Sequence, residues 1–211
     1  MTPTWKIKRE LERLKVQASA IPLAIYEPFL QRRYDPKRYE LIKHIDGALP
    51  EKDNLVIFLI YQPNGIPDSI LNTCKHLVAS GFAPIIVSNM PLSDSDRIAL
   101  ARSAHIVAER PNFGYDFGGY RDGLWLINQI GLKPKNILFL NDSIWFPARE
   151  KQSLLTELFQ PDVEYTGVQI FDHSNKGNIR RSMFGSYCFA VNERLLKNIE
   201  FIDFWENYRL S

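Results

Sequence analysis

Seven consecutive apolar residues, Leu55-Val-Ile-Phe-Leu-Ile-Tyr61, stand between Asp53 and Pro63. A strand that is half solvated alternates apolar and polar residues, whereas a continuous run of this length reads as a strand buried on both faces. The run is far too short to cross a bilayer, which takes about 20 apolar residues. It therefore predicts the central strand of a sheet covered by helices on both sides.

The residues that follow repeat that theme. Pro67 to Ser80 carries an apolar helical stripe of Ile70, Leu71, Cys74, Leu77 and Val78, stopped by Gly81. Ala83 to Val87 reads as a second strand, and Ser93 can cap a helix through Arg102. His105 to Ala108 is a third strand, Asp116 to Ile130 a helix ended by Gly131, and Asn136 to Leu140 a fourth strand. A helix near Gln152–Phe159, strands at Tyr165–Phe171 and Gly185–Val191, and a helix capped by Asn192 complete the chain. This alternation predicts an α/β fold with a mostly parallel central sheet and helices on both faces.

In open α/β sheets ligands bind beyond the carboxyl ends of the strands. Those ends carry Tyr61, Gln62 and Asn64; Ser88 and Asn89; Arg110-Pro-Asn-Phe-Gly-Tyr-Asp-Phe-Gly-Gly-Tyr-Arg121; and Asn141-Asp-Ser143. In the third segment Gly114, Gly118 and Gly119 permit close approach of a ligand or close packing of a helix on the sheet. Asp116 either caps that helix or faces a ribose or phosphate at its start. In the fourth, Asp142 could hold Mg²⁺ or Mn²⁺ against a diphosphate, since hard cations take carboxylate, phosphate and water oxygens; the alternative is a turn closed by its own side chain. Trp145, just beyond, is expected in the cleft.

Several classes are excluded. The chain has no GxxxxGK[ST] segment, no HxxxH spacing, and two distant cysteines, Cys74 and Cys188, so it offers no phosphate loop, zinc pattern or disulfide framework. A net charge of +2 does not point to nucleic acid.

The order Asn112-x-Gly114, then an apolar strand ending in Asn141-Asp142-Ser143, resembles the nucleotide-binding half of GT-A glycosyltransferases of family 2. The chain is more closely similar to the rhamnan synthesis F family of bacterial polysaccharide enzymes. The likeness lies in Arg110-x-Asn112-x-Gly114-x-Asp116, in Asn141-Asp142-Ser143 with Pro147, in Ser186-Tyr187 and in Phe204-Trp205. The resemblance implies transfer of a sugar, rhamnose or another deoxyhexose, from a nucleoside diphosphate donor to a glycan or lipid-linked glycan acceptor, with a divalent cation as optional cofactor. It implies that Tyr61 and Ser88 flank the nucleotide, that Asn112, Gly114 and Asp116 line the donor, and that Asn141, Asp142 and Ser143 occupy the metal–diphosphate position. The motif has one acidic residue where the family 2 pattern has two, so Arg110, Arg121, Arg180 or Arg181 would offset the diphosphate if no metal does.

An inverting transferase also needs a general base. Asp172, beside His173 at a strand end, is the best-placed candidate; Asp203 and Glu206 read as a solvated helical face. The lack of a clear base fits a catalytic domain cut short at its C-terminal end. It also keeps open a second reading, a non-catalytic GT-A-like partner subunit of a glycan-synthesis complex.

Residues 1–43 differ from the rest, with ten basic and five acidic side chains against 16 and 19 in the remainder. Trp5, Ile7, Leu11 and Leu14 fall near one helical face among these charges. Residues 1–50 are thus expected as a basic helical extension and 51–211 as the catalytic domain. The extension reads as a solvated helix packed on the domain, or as one resting on an anionic membrane surface. With no signal peptide evident, a cytoplasmic protein is expected, peripheral on the inner face of the membrane under the second reading.

Overall fold

The computed structural model describes residues 29–147, 154–160, 162–173 and 181–208, with backbone alone for 170–173 and 181–184. Nine strands form among the described residues: β1 Lys43–Asp46, β2 Asn54–Ile60, β3 Ala83–Ser88, β4 Ile106–Glu109, β5 Asn136–Asn141, β6 Tyr165–Gly167, β7 Ile170–His173, β8 Arg181–Phe184 and β9 Cys188–Asn192. The helices are α1 Arg38–Leu41, α2 Asp68–Ala79, α3 Asp94–Ala101, α4 Tyr115–Gln129, α5 Leu154–Leu158, α6 Glu193–Leu196 and α7 Ile199–Asn207. Seven strands make one sheet in the order β1-β4-β3-β2-β5-β9-β6, and β7–β8 form a separate two-stranded sheet.

The β2 run is buried as its sequence requires. Leu55, Ile57 and Leu59 face one core with Tyr120, Leu126, Phe139, Phe189 and Trp205. Val56, Phe58 and Ile60 face the other with Cys74, Leu77, Leu100, Leu138 and Cys188. Alternate residues of a strand point to opposite faces, so an unbroken apolar run supplies both cores at once. Each of these buried side chains contributes about 1.5–3 kcal/mol. Cys74 and Cys188 are core residues, and burial pushes both thiols up to about 12.

The α/β class is as expected, but the sheet is mixed rather than mostly parallel. β4-β3-β2-β5 are parallel, while β1 pairs antiparallel with β4, and β9 runs antiparallel to both β5 and β6. The stretch 165–171 does not form one strand. It leaves the main sheet after Gly167 and re-pairs as β7 with β8, where Asp172 stands opposite Ser182. β1 is solvent-exposed at all four residues, so it carries no apolar signal in the sequence.

The basic segment touches the fold from Gln31, whose side-chain N–H donates to the Tyr208 carbonyl at 3.1 Å. The Tyr34 hydroxyl donates to Asp122 at 2.5 Å, and Asp35 receives both terminal nitrogens of Arg121 at 2.7 and 2.8 Å. Residues 1–28, with the Trp5–Leu14 pattern, lie outside the described residues.

Candidate functional site at the carboxyl edge of strands β2 and β5

β2 has β3 on one side and β5 on the other, and their crossovers depart in opposite directions. This is the topological switch point, where a crevice opens beyond the carboxyl ends. Asp142 lies across it. Its Oδ2 accepts the Tyr61 backbone N–H at 2.7 Å and the Gln62 side-chain N–H at 2.7 Å, and its own N–H donates to the Leu59 carbonyl at 3.1 Å. Strand β5 therefore hands its terminal carboxylate to the end of β2, fixing the width of the crevice.

Asp116 joins it from the start of α4. The N-cap of that helix is Gly114, at a φ of 74°, and it makes no side-chain cap. The Asp116 Oδ2 instead accepts from the Asn141 amide at 2.7 Å. The helix-cap reading of Asp116 is thus replaced by a bond across to β5. Burial pushes the Asp116 carboxyl above the usual carboxylate range; the Asn141 amide draws it back, and the Asp142 charge adds to the rise.

The other predicted residues divide by burial. Tyr61, Asn112 and Ser143 are exposed. Asn141 is 3% exposed: one end of its amide holds Asp116, and the other accepts the Ser143 N–H at 3.1 Å. Ser88 is fully buried, its hydroxyl donating to the Met90 carbonyl at 2.7 Å. Ser88 and Asn141 thus lie beneath the edge and shape it, because each spends its polar atoms within the protein. Trp145 is 89% exposed. For Asp172 only the backbone position in β7 is described; Arg180 lies outside the described residues, as does the Arg181 side chain.

Two of the cations expected to face a diphosphate do not. Arg110 is buried, with Nε on Asp122 at 2.6 Å, Nη1 on the Asn89 carbonyl oxygen at 2.6 Å, and Nη2 on the Phe113 carbonyl. Arg121 is buried against Asp35 and the carbonyls of Trp205 and Glu206. A buried guanidinium needs its charge matched and its N–H groups bonded, and the fold supplies both internally.

The glycines of this segment serve packing. A Cβ on Gly119 would sit 2.2 Å from Leu59 Cδ1, and one on Gly118 would sit 2.1 Å from the Phe113 carbonyl oxygen. Gly119 thus lets α4 lie directly on β2, and Gly118 lets the preceding loop fold back on the helix start, where Asp116 reaches Asn141.

Sequence reasoning missed Gln62 as a partner of Asp142, Asp122 as the hub of the buried charges, and Tyr115. The pattern Gly118-Gly-Tyr-Arg-Asp-Gly123 holds a signal for Asp122: a charged pair flanked by glycines on a helix pressed against the sheet must be buried with partners.

Among the described residues no group of three or more His, Cys, Asp or Glu is placed to hold a metal by itself. Two carboxylates are still a fitting donor set for Mg²⁺, which keeps most of its waters and binds through one or two carboxylates and substrate phosphates.

A separate cavity of about 780 Å³ lies on the α4–α7 face, lined by Asp35, Arg121, Trp125, Lys133, Lys197 and Trp205 among others. It reaches the amino end of β5 and includes neither Asp116 nor Asp142. Asp35 and Arg121 there neutralise each other, whereas Asp116 and Asp142 stand at the carboxyl edge. No described helix is long and apolar enough to cross a membrane.

The sequence model of the family described as Rhamnan synthesis protein F matches residues 84–210. The chain is also similar to an uncharacterized protein, y4gN, of Sinorhizobium fredii, 32% identical over 206 residues. That alignment covers 97% of this chain and 53% of the relative, so the chain spans about half the length of the curated relative it matches.

Proposed function

The chain belongs to the rhamnan synthesis protein F family, a family of polysaccharide synthesis, and from that premise we propose that it is a GT-A-type transferase acting on a nucleoside diphosphate sugar. The donor would carry rhamnose or another deoxyhexose, and the acceptor would be a glycan or lipid-linked glycan. The observation that carries this reading is the convergence of Asp116, Asn141 and Asp142 at the switch point between β2 and β5.

In this reading the nucleotide lies along the end of β2, against Tyr61. The loop 111–115 lines the donor, with Asn112 on its exposed side. Asp116 and Asp142 would hold a Mg²⁺ or Mn²⁺ ion brought in with the diphosphate. That ion would supply charge stabilisation for the departing diphosphate, a role Arg110 and Arg121 are not free to fill. Asn141 keeps the Asp116 carboxylate aimed at the crevice, and Gln62 does the same for Asp142. Asp172 is assigned the role of general base toward the acceptor hydroxyl.

A thermal-shift panel of nucleoside diphosphate sugars, with and without Mn²⁺ or Mg²⁺, tests the proposal, because a ligand that binds only the native state raises its melting temperature. Stabilisation by a deoxyhexose donor, increased by metal and lost in Asp142→Ala, is the expected result. A folded protein unmoved by every donor would reverse it and favour a non-catalytic partner subunit. One observation gives that second reading its footing: Asp142 Oδ2 is already occupied by two N–H groups of the fold.

A further inference from the structure

Tyr115 combines two features that rarely coincide. Its φ is 46°, a left-handed conformation in a residue with a bulky side chain. Such a backbone costs about 1–3 kcal/mol and persists only where the surroundings enforce it. They do so here through buried groups. The Asn89 amide donates to the Tyr115 carbonyl at 3.4 Å, Arg110 holds Asn89 and the Phe113 carbonyl, and the Gly118 N–H returns to Gly114 at 2.8 Å. Yet the ring set up by this turn is 68% exposed, so core packing does not offset the strain.

Two more exposed aromatics stand at the same edge. Tyr61 is 51% exposed, and its N–H is the one bonded to Asp142; Trp145 is 89% exposed, three residues after Asp142. Tyr115 itself precedes Asp116. Exposed rings are thus borne by residues close in sequence or bonded to two carboxylates, while the guanidinium of Arg110 is committed inward. Carboxylates accept hydrogen bonds from hydroxyls, and apolar ring faces match the C–H face of a neutral sugar.

We propose that Tyr115 is a specificity-determining residue, which with Trp145 forms a platform for the apolar face of a pyranose ring bound at this edge. This rests on the transferase reading and names the part of the substrate the edge selects. The ring belongs either to the donor sugar or to the terminal sugar of the acceptor, which present the same chemistry.

Titration calorimetry and ligand-observed NMR on the full chain test it, with three probes: a nucleoside diphosphate, the corresponding nucleoside diphosphate rhamnose, and methyl rhamnoside. Tyr115→Ala and Tyr115→Gly should weaken a rhamnose-bearing probe by about tenfold, the effect of losing roughly 1.4 kcal/mol. Tyr115→Phe should bind as the wild type does, and affinity for the bare nucleoside diphosphate should not change. Tyr115→Gly should also unfold at a higher temperature than Tyr115→Ala, since glycine accepts positive φ without strain. This shows that the loss of binding is not a loss of fold. Weakening confined to the sugar nucleotide places the donor ring on Tyr115, and weakening confined to methyl rhamnoside places the acceptor ring there. If the Ala and Gly variants bind both rhamnose probes like wild type, the platform is overturned and the transferase reading stands. An equal loss for the bare nucleoside diphosphate also overturns it, by putting the nucleotide on the ring. If the wild type binds no probe at all, both readings fall.

Discussion

Asp142 makes its structural contribution through a single oxygen. Because Oδ2 receives the Tyr61 N–H and the Gln62 amide, Asp142→Ala leaves a backbone donor without its acceptor. Because Tyr61 is half exposed, water can replace the lost acceptor, and the net cost is about 0.5–1.5 kcal/mol. Asp142→Ala should therefore lower stability by about that amount in urea denaturation, besides abolishing donor binding. Gln62→Ala separates the two effects: it removes one hydrogen bond and keeps the carboxylate, so it should destabilise less and retain metal-enhanced donor binding. Asp116 carries the opposite sign. Burial raises its carboxyl above the ordinary range, so the folded protein holds that proton more tightly than the unfolded chain does. Its contribution then falls as pH rises from the unfolded value through the raised folded one, and at neutral pH its ionised form weighs against the fold. Asp116→Asn should melt higher than wild type near pH 7, with the gain vanishing below the ordinary carboxylate range. A melting difference that does not change with pH would contradict this. A residue that costs stability where it stands is what a binding site retains.

At the scale of elements, the site depends on how closely the loop 111–115 folds back on the start of α4. A methyl on Gly118 would meet the Phe113 backbone carbonyl, which cannot yield as a flexible side-chain end can. Gly118→Ala should cost about 1–3 kcal/mol as overpacking and displace the loop from which Tyr115 and Asp116 project. Thermal unfolding and donor affinity should fall together, and unchanged values for both would refute the close-packing account. The elements themselves were legible where their signal is local. The apolar runs of β2, β3 and β5 and the stripe of α2 are patterns of neighbouring residues, and Ser93 caps α3 as its position predicts, accepting from the Asp96 N–H at 3.1 Å. What was illegible depends on partners distant in sequence. β1 has no buried residue, and its strand character comes from pairing with β4. The antiparallel direction of β9 is set by the chain's path between 142 and 188, which residue type does not encode. The site was legible in the same partial way. Polar residues at strand ends marked the correct edge. Nothing local told that Ser88, Asn89 and Arg110 turn inward while Tyr61, Asn112 and Ser143 face solvent, because that depends on whether each side chain finds a partner inside the fold.

For the whole molecule, a buried charge cluster joins the segment before the sheet to the helix that presents the site. Asp122 is 1% exposed and binds Tyr34, Arg110 and Arg38, the last at 3.2 Å. Asp122→Ala would leave the Arg110 guanidinium in the interior without its counter-charge, while Arg38 keeps Asp35 at 2.9 Å, at a cost of about 3–5 kcal/mol. Urea denaturation should show a loss of that size, and a loss below about 1 kcal/mol would mean the cluster is replaceable packing. Residues 34–46 thus belong to the folded domain; for the basic sequence near the start, deleting residues 2–16 should lower binding to anionic vesicles, and equal binding would contradict a membrane role. The central claim is that the sugar nucleotide occupies the carboxyl edge of β2 and β5 rather than the cavity beside α7. Amide hydrogen exchange with and without a nucleoside diphosphate rhamnose and Mn²⁺ measures that directly. Slowed exchange confined to residues 61–65, 111–119 and 141–146 is the predicted result. Slowed exchange across 124–137 and 193–206, with the edge unchanged, would place the ligand in the α4–α7 cavity and contradict the account.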